Sequence, residues 1–221
     1  AGMAATFFAL QAYGKVPALL NFTAGARNVL LACQTGQVQT VLTSRKFIEL
    51  AGLQNLEAAL NEQVELVYLE DVREQIGLGV KLKALTKPIR QLPGLVVEPN
   101  QPAVMLFTSG SEGTPKAVVL SHANIVSNVE QISAMFALLP GDGVFNALPT
   151  FHSFGLTAGL LWPLLKGARV DLHPSPLHYH VIPERIYQTN ARLFFATDTF
   201  YNGYARQADG YDFYSIDALV A

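Results

Sequence analysis

Short apolar segments alternate with helix-forming segments along most of the chain, and this alternation restricts the fold more than any other feature. Thr40–Thr43 has the length and composition of a buried strand, and Ser44 can cap a following helix whose apolar positions run from Phe47 to Leu56. Residues 64–69 form a second apolar segment of strand length. Strand, helix and strand in this order predict a βαβ unit, and such uniformly apolar strands are typical of parallel sheets covered on both faces.

The same pattern continues to the end of the chain. Strands are expected at residues 103–107, 117–120, 144–148, 168–172 and 193–196, with another beginning near residue 216. Helices are expected at residues 70–85, 154–165, 183–188 and 199–208. The sequence therefore predicts an α/β fold with largely parallel sheets and helices on both faces.

The most regular helical pattern follows Ser121, which can serve as its N-cap. Its apolar residues recur at alternating steps of four and three: Ile125, Val129, Ile132, Phe136 and Leu139. Two further apolar segments, residues 3–10 and 156–165, are shorter than the roughly 20 residues that a membrane-spanning helix needs, so we expect both to be core helices. Residues 87–102 contain four prolines and predict an irregular surface connection.

Composition excludes several classes of function. Half of the 221 residues are hydrophobic, enough for a sizeable core, and the net charge of −2 comes without any run of Lys or Arg. A nucleic-acid-binding protein is therefore not expected. The single cysteine, Cys33, lies in an apolar stretch, which predicts a buried thiol, no intrachain disulfide and a reducing compartment. No internal repeat or linker marks a domain boundary, so residues 1–221 could form one large domain or two small ones, and the strand-like end suggests that the chain is incomplete.

A polar loop follows the strand at residues 103–107 and carries four hydroxyls, two glycines and one lysine in nine residues. Such a loop can direct backbone N–H groups, hydroxyls and a cation toward one point, as phosphate sites require. Ordinary turns share this composition. The loop is not a Walker A motif, because Lys116 follows Pro115 and precedes Ala117. Its residues are Thr108, Ser109, Gly110, Ser111, Glu112, Gly113, Thr114, Pro115 and Lys116.

In order as well as composition, this loop resembles the signature loop of the adenylate-forming superfamily, and it matches that signature at every position. The resemblance implies that the hydroxyls of the loop and Lys116 bind the β- and γ-phosphates of ATP. Residues 145–155 are similar to a second superfamily segment, Pro-x-x-His-x-x-Gly. It implies that His152 lies near the carboxylate and α-phosphate; taken alone, a histidine between aromatic residues is more often a packed core residue.

A narrower resemblance covers almost the whole chain. Residues 17–25, 42–45, 67–71, 174–179 and 211–214 are similar to the synthetase half of the bacterial bifunctional acyl-[acyl-carrier-protein] synthetase/2-acylglycerophosphoethanolamine acyltransferases. It implies part of the large N-terminal domain of an adenylate-forming enzyme, truncated at both ends. The implied activity is activation of a fatty acid by ATP and Mg²⁺, then transfer of the acyl group to the phosphopantetheine thiol of acyl carrier protein or CoA. The implied location is the cytoplasm, with the full-length protein associated with the bacterial inner membrane and no membrane span in these residues.

Other interpretations remain open. The chain could belong to another acyl-CoA synthetase-type ligase, or be a nucleotide-binding module without catalysis. An α/β hydrolase using Ser109 or Ser111 as nucleophile with His152 is a third possibility, although neither serine lies in a Gly-x-Ser-x-Gly elbow. Three histidines in residues 173–180 suggest a metal site, but the prolines between them and the absence of a carboxylate cluster favour a role in shaping a substrate pocket.

Overall fold

The computed structural model describes residues 2–86, 96–110 and 113–221. The chain divides into two compact units, one of them Phe7–Val119 and the other Leu120–Ala221 with the first residues up to Thr6. Helices pack on parallel strands in both units, which confirms the predicted α/β fold. The irregular connection expected at residues 87–102 falls largely outside the described residues.

The unit Phe7–Val119 contains one three-stranded and one two-stranded sheet. Its elements in chain order, including the helix and the strand that cross its borders, are α1 (Gly2–Ala12), β1 (Ala18–Leu19), a 3₁₀ turn (Phe22–Ala24), α2 (Ala26–Thr35), β2 (Thr40–Thr43), α3 (Arg45–Ala51), α4 (Gln54–Asn61), β3 (Glu65–Tyr68), α5 (Leu69–Gln75), α6 (Leu78–Thr86), β4 (Pro102–Thr108) and β5 (Lys116–Ser121). The strand order β1-β4-β5 places β4 in the middle, and β1 runs parallel to it. β2 and β3 form a separate parallel pair.

The predicted βαβ unit is confirmed, but its helix is interrupted. The Ser44 hydroxyl accepts a hydrogen bond from the backbone N–H of Phe47 and so caps α3 as expected. The single helix expected to continue to Leu56 was wrong, because Gly52 adopts a left-handed conformation with φ 64° that ends α3. A second helix, α4, begins after it. The surface helix expected at residues 70–85 is likewise two helices, α5 and α6, which are separated by Ile76 and Gly77.

The interior of this unit lies between α2, α4 and the β2–β3 pair. One cluster of buried residues there contains Val29, Cys33, Leu56 and Leu60, and β4 adds the buried Ala103, Val104 and Leu106 to the interior of the unit. Cys33 is therefore buried as predicted, and desolvation raises the pKa of its thiol. The expectation that residues 3–10 form a core helix was wrong: α1 is helical, but Phe7 is its one buried side chain.

The unit that begins at Leu120 is built around one four-stranded sheet. Its elements are α7 (His122–Met135), β6 (Gly143–Asn146), α8 (Ser153–Leu156), a π-helical segment (Thr157–Leu161), α9 (Trp162–Leu165), β7 (Arg169–Leu172), α10 (Val181–Thr189), β8 (Leu193–Phe195), α11 (Asp198–Ala205) and β9 (Ala218–Val220). The order is β7-β6-β8-β9, and every neighbouring pair is parallel. Each strand expected from the sequence in this region is therefore present.

Both faces of this sheet are covered. On β6, Phe145 packs in a cluster with Ile182 of α10 and Tyr204 of α11. Val144, which points the other way because side chains alternate along a strand, packs with Trp162 of α9 and Val129 of α7. The expectation of helices on both faces is confirmed for this unit.

The helices of this unit begin as predicted, but one ends early. Ser121 and Asn124 form a reciprocal capping box at the start of α7. The periodic pattern predicted a longer helix, but Phe136 adopts an extended conformation and Leu139 is 62% exposed. Residues 156–165 are a core helix as predicted, and its π-helical segment precedes Pro163, whose ring disrupts regular α-helical bonding. Within the described ranges, no helix has the length and hydropathy to cross a membrane.

Candidate functional site

The polar loop joins β4 to β5, which are neighbours in their sheet. The Gly113 N–H donates to the Gly110 carbonyl over 3.0 Å, and Gly113 has φ 78°, a left-handed conformation that favours glycine. A Cβ atom on Gly110 would lie 2.1 Å from the Thr114 carbonyl oxygen. Gly110 is thus required because a side chain has no space there, and glycine is favoured at position 113 because of its left-handed backbone.

The loop's polar side chains face solvent. Thr108, Ser109, Thr114 and Lys116 are all exposed. None of these side chains takes part in a hydrogen bond or ion pair within the described part of the chain. The remaining two predicted site residues, Ser111 and Glu112, lie outside it. Three hydroxyls and one ammonium group are therefore available to an anion bound at this loop.

The segment that contains His152 is held by a buried asparagine at the end of β6. Asn146 is fully buried, its side-chain amide donates to the Gly155 carbonyl over 3.1 Å, and its side-chain oxygen accepts from the Leu148 N–H over 2.9 Å. These bonds close residues 146–155 into a compact loop. They hold the segment that carries His152 against the end of β6.

Two glycines allow this loop to pack closely. A Cβ atom on Gly155 would lie 2.3 Å from the Pro149 carbonyl oxygen, and one on Gly159 would lie 2.2 Å from the Asn146 side-chain nitrogen. Contacts this short do not occur between real atoms. The glycine that follows His152 in its motif therefore has a steric explanation, since the Pro149 carbonyl occupies the space that a side chain at position 155 would need.

His152 itself is the N-cap residue of α8. Its N–H donates to the Pro149 carbonyl over 3.1 Å, and its own carbonyl accepts from Leu156. The imidazole is exposed, contacts the ring of Phe151 at 4.6 Å between centroids, and makes no hydrogen bond within the residues described. It is thus not the packed core histidine that its aromatic neighbours would suggest.

The topology of the sheet indicates where this unit would bind a ligand. From β6 the chain crosses to β7 on one side, and it then returns to β8 on the other side of β6. In open α/β sheets, ligands bind outside the carboxyl ends of the strands at such a switch point. The loop with His152 begins at the carboxyl end of β6, so it lies where this rule places a ligand.

The metal site suggested by three histidines is not supported. His173 and His178 contact each other, with 2.9 Å between His173 Nε2 and His178 Nδ1. Desolvation, and then the neighbouring His178, lower the pKa of His173. Among the residues that the structure describes, no group of three His, Cys, Asp or Glu side chains could hold a metal ion.

Sequence reasoning missed two residues that organise this edge of the sheet. One is Asn146, described above. The other is Tyr201, whose hydroxyl accepts from the Ala196 and Val220 N–H groups and lies 2.6 Å from the Phe194 carbonyl oxygen, so it joins β8 to β9. Burial raises the pKa of Tyr201 to about 12, which keeps this hydroxyl protonated. The sequence contains no indication of either role, because a single Asn or Tyr forms no local sequence pattern.

Comparison with known proteins identifies the family. The profile of the AMP-binding enzymes matches residues 1–220. The chain belongs to the AMP-binding enzyme family. Among relatives of this AMP-binding chain, the acyl-CoA ligase sidI of Beauveria bassiana is 30% identical over 76% of the chain and 30% of its own length. The long-chain-fatty-acid–AMP ligase FadD26 of Mycobacterium tuberculosis is 33% identical over 57% of the chain and 22% of its own length. The AMP-binding chain thus spans less than a third of the length of these relatives.

A solved structure supports the fold. O-succinylbenzoate coenzyme A synthetase (MenE) of Bacillus subtilis, in complex with ATP and a magnesium ion, matches 99% of the AMP-binding chain and 42% of its own chain, with a TM-score of 0.76 and 17% identity. At this identity the likeness concerns the fold alone. It confirms that the chain has the fold of the N-terminal domain of adenylate-forming ligases.

Proposed function

We propose that this AMP-binding chain supplies the triphosphate-binding loop of an ATP-dependent acid–thiol ligase. The observation that carries the proposal is the loop between β4 and β5. Gly110 has no space for a side chain, Gly113 has a left-handed conformation, and three hydroxyls and an ammonium group make no hydrogen bond within the residues that the structure describes. Among the described residues, these donors have no acceptor. A polyphosphate would provide the acceptors.

The described residues fit ATP in chemistry as well as in sequence. Thr108, Ser109 and Thr114 offer hydroxyl donors to phosphate oxygens, and Lys116 offers a mobile cation. Bound ATP supplies an activated α-phosphorus and a pyrophosphate leaving group. The part played by the loop is electrostatic: its donors hold the β- and γ-phosphates in one orientation and stabilise the negative charge that grows there. We propose that Ser111 contributes its hydroxyl and that Gly110 and Glu112 contribute their backbone N–H groups, while Gly113 allows the loop to turn.

We assign His152 a position beside the reacting carboxylate, not a proton-transfer role. Its exposed imidazole at the carboxyl end of β6 is consistent with this position. Mg²⁺ is proposed as a cofactor because ATP is bound with it in the related MenE structure. We assign no Mg²⁺ ligand, since no cluster of three suitable side chains occurs in residues 2–86, 96–110 and 113–221.

For the acid substrate we propose a fatty acid, and for the acceptor the phosphopantetheine thiol of acyl carrier protein. The name of FadD26 supports a fatty acid, and the segments similar to the bifunctional acyl-[acyl-carrier-protein] synthetases support the carrier protein. In that case the product serves reacylation of 2-acylglycerophosphoethanolamine, and the full-length protein works in the cytoplasm at the bacterial inner membrane. Transfer to CoA is the second candidate, favoured by relatives such as sidI.

We further propose that residues 1–221 are part of one larger acyl-activating domain. The family profile matches from residue 1 to residue 220, while the chain spans 30% of the length of sidI. The 221 residues by themselves should therefore bind ATP weakly and form no acyl-adenylate.

The test is fatty-acid-dependent exchange between ATP and pyrophosphate in the full-length protein. Lys116→Ala should lower the exchange rate at least about 100-fold, because the variant loses one donor to the negative charge that develops in the transition state. Lys81→Ala removes an exposed lysine from α6 and should change little. Exchange that survives in the Lys116 variant would contradict the proposed role of the loop, and binding of ATP without any exchange in the wild type would favour a catalytically silent module.

The acceptor is tested separately. Wild-type protein, ATP and a fatty acid are supplied with either acyl carrier protein or CoA, and the thioester is measured by mass spectrometry. Preferential acylation of the carrier protein is expected. Acylation of CoA alone would replace the carrier-protein proposal with the acyl-CoA ligase.

A further inference from the structure

A cleft lies in the unit that begins at Leu120, and none of the residues that line it belongs to the ATP site proposed above. It has a volume of about 760 Å³ and is formed by the residues that precede and start α10 on one side and by one face of α11 on the other. Clefts of this size are typical of sites for small organic molecules.

The cleft has a fixed wall. The ring of Tyr179 lies against Gly203 so closely that a Cβ atom on Gly203 would be 2.3 Å from the ring. Tyr179 also contacts the ring of Tyr204, whose hydroxyl donates to the Pro176 carbonyl over 2.7 Å. The segment before α10 is therefore packed on α11, and the cleft does not depend on a free loop.

The polar side chains that line the cleft are mostly without partners. Those of His180, Thr199, Asn202, Arg206 and Gln207 make no hydrogen bond or ion pair within the described chain. None of the lining residues is acidic. The first two N–H groups of α10 already donate to the His178 carbonyl, so the binding capacity lies in the side chains and not in the helix end.

Arg206 differs from the other arginines of this unit. Arg169 pairs with Asp171, Arg185 donates to Gln188, and Arg192 pairs with Asp142 and Asp217. Arg206 has no such partner among the residues described. Arg206 lines the cleft together with two histidines and two side-chain amides, and no described acidic residue pairs with it. These groups supply the donors that phosphate and carboxylate groups require.

We propose that this cleft binds a small organic anion, with its phosphate or carboxylate group on Arg206 and its polar body against Asn202, Gln207 and the face of Tyr179. The proposal is independent of ATP binding at the Thr108 to Lys116 loop. It concerns different residues, and either site can be present without the other.

The test is a titration of the isotopically labelled whole chain, followed by NMR, with three probes of similar size: glycerol 3-phosphate, glycerate and glycerol. At least one of the two anions should produce saturable shifts at Gly203 and at the His178 and His180 rings, whereas neutral glycerol should not. A stronger effect of glycerol 3-phosphate identifies a phosphate site, and a stronger effect of glycerate identifies a carboxylate site.

Variants locate the site. Arg206→Ala should weaken binding of the anion at least tenfold, since a charge-assisted pair is lost. Arg27→Ala, which removes an equally exposed and unpaired arginine in the other unit, should leave binding unchanged. So should Lys116→Ala, which separates this site from the proposed ATP loop. Equal affinity in the Arg206 variant, or no saturable shifts at the cleft with either anion, would overturn the proposal.

Discussion

The loop of Thr108 to Lys116 and the segment of Asn146 to Gly159 are constructed in opposite ways. In the first, the backbone turns tightly between Gly110 and Thr114, while the polar side chains that the structure describes face solvent and have no hydrogen-bond partner among the described residues. In the second, a fully buried amide and two close glycine contacts hold the chain from inside. The first should therefore contribute little to stability and much to binding, whereas the second should contribute much to stability.

The largest effect on stability is expected at Gly159. Gly159→Ala places a methyl group where the Asn146 amide lies, and both residues are buried, so the free energy of unfolding should fall by about 3 kcal/mol. Thermal or urea unfolding measures the change. Gly79→Ala is the matched control: no atom lies within 4 Å of the new methyl group in α6, and stability should rise by roughly 0.5 kcal/mol. A neutral Gly159 variant would show that the segment can relax.

A smaller loss is expected for Asn146→Ala. The variant leaves the Leu148 N–H and the Gly155 carbonyl without their buried partner, and about 2 kcal/mol of stability should be lost. The control is Asn128→Ala, which removes an exposed side chain of α7 that donates a hydrogen bond to Gln131. If both asparagine variants unfold at the same denaturant concentration, Asn146 does not hold the segment.

The smallest change in stability is expected in the polar loop. Lys116→Ala and Thr114→Ala remove exposed groups that have no hydrogen-bond partner in the described part of the chain, so each should change the free energy of unfolding by less than about 0.5 kcal/mol. The same unfolding assay measures it. A loss comparable with that of Asn146→Ala would mean that the loop is part of the fold, and the contrast between the two regions would fail.

Much of the fold was accessible from the sequence because it is locally encoded. Apolar strands, the Ser44 and Ser121 caps, and the helical period after Ser121 each depend on residues a few positions apart. The errors have local causes too: Gly52 ends a helix that the apolar pattern would have continued, and Leu139 follows the helical period without being in the helix. Apolar periodicity alone did not indicate where a chain turns.

In the candidate site too, local motifs could be predicted from the sequence, whereas contacts between distant residues could not. The order of residues from Thr108 to Lys116 and the spacing around His152 were readable because they are contiguous motifs. What holds His152 was not, since the Asn146 amide bonds the Gly155 carbonyl nine residues away. The role of Tyr201 could not be predicted either, because its hydroxyl contacts two segments that are distant in sequence, the end of β8 and β9.

By itself the sequence determined the α/β class, the family resemblance, and the loop and histidine of the proposed ATP site. Those features are encoded in the local order of residues along the chain. The tertiary structure decided which helices cover which face of the sheet and that His152 is exposed while the adjacent Phe151 is buried. It also decided that Arg206 lies in a cleft with no ion-pair partner among the described residues. These properties depend on packing between distant segments, where burial and the pairing of charges are set by space and not by order along the chain.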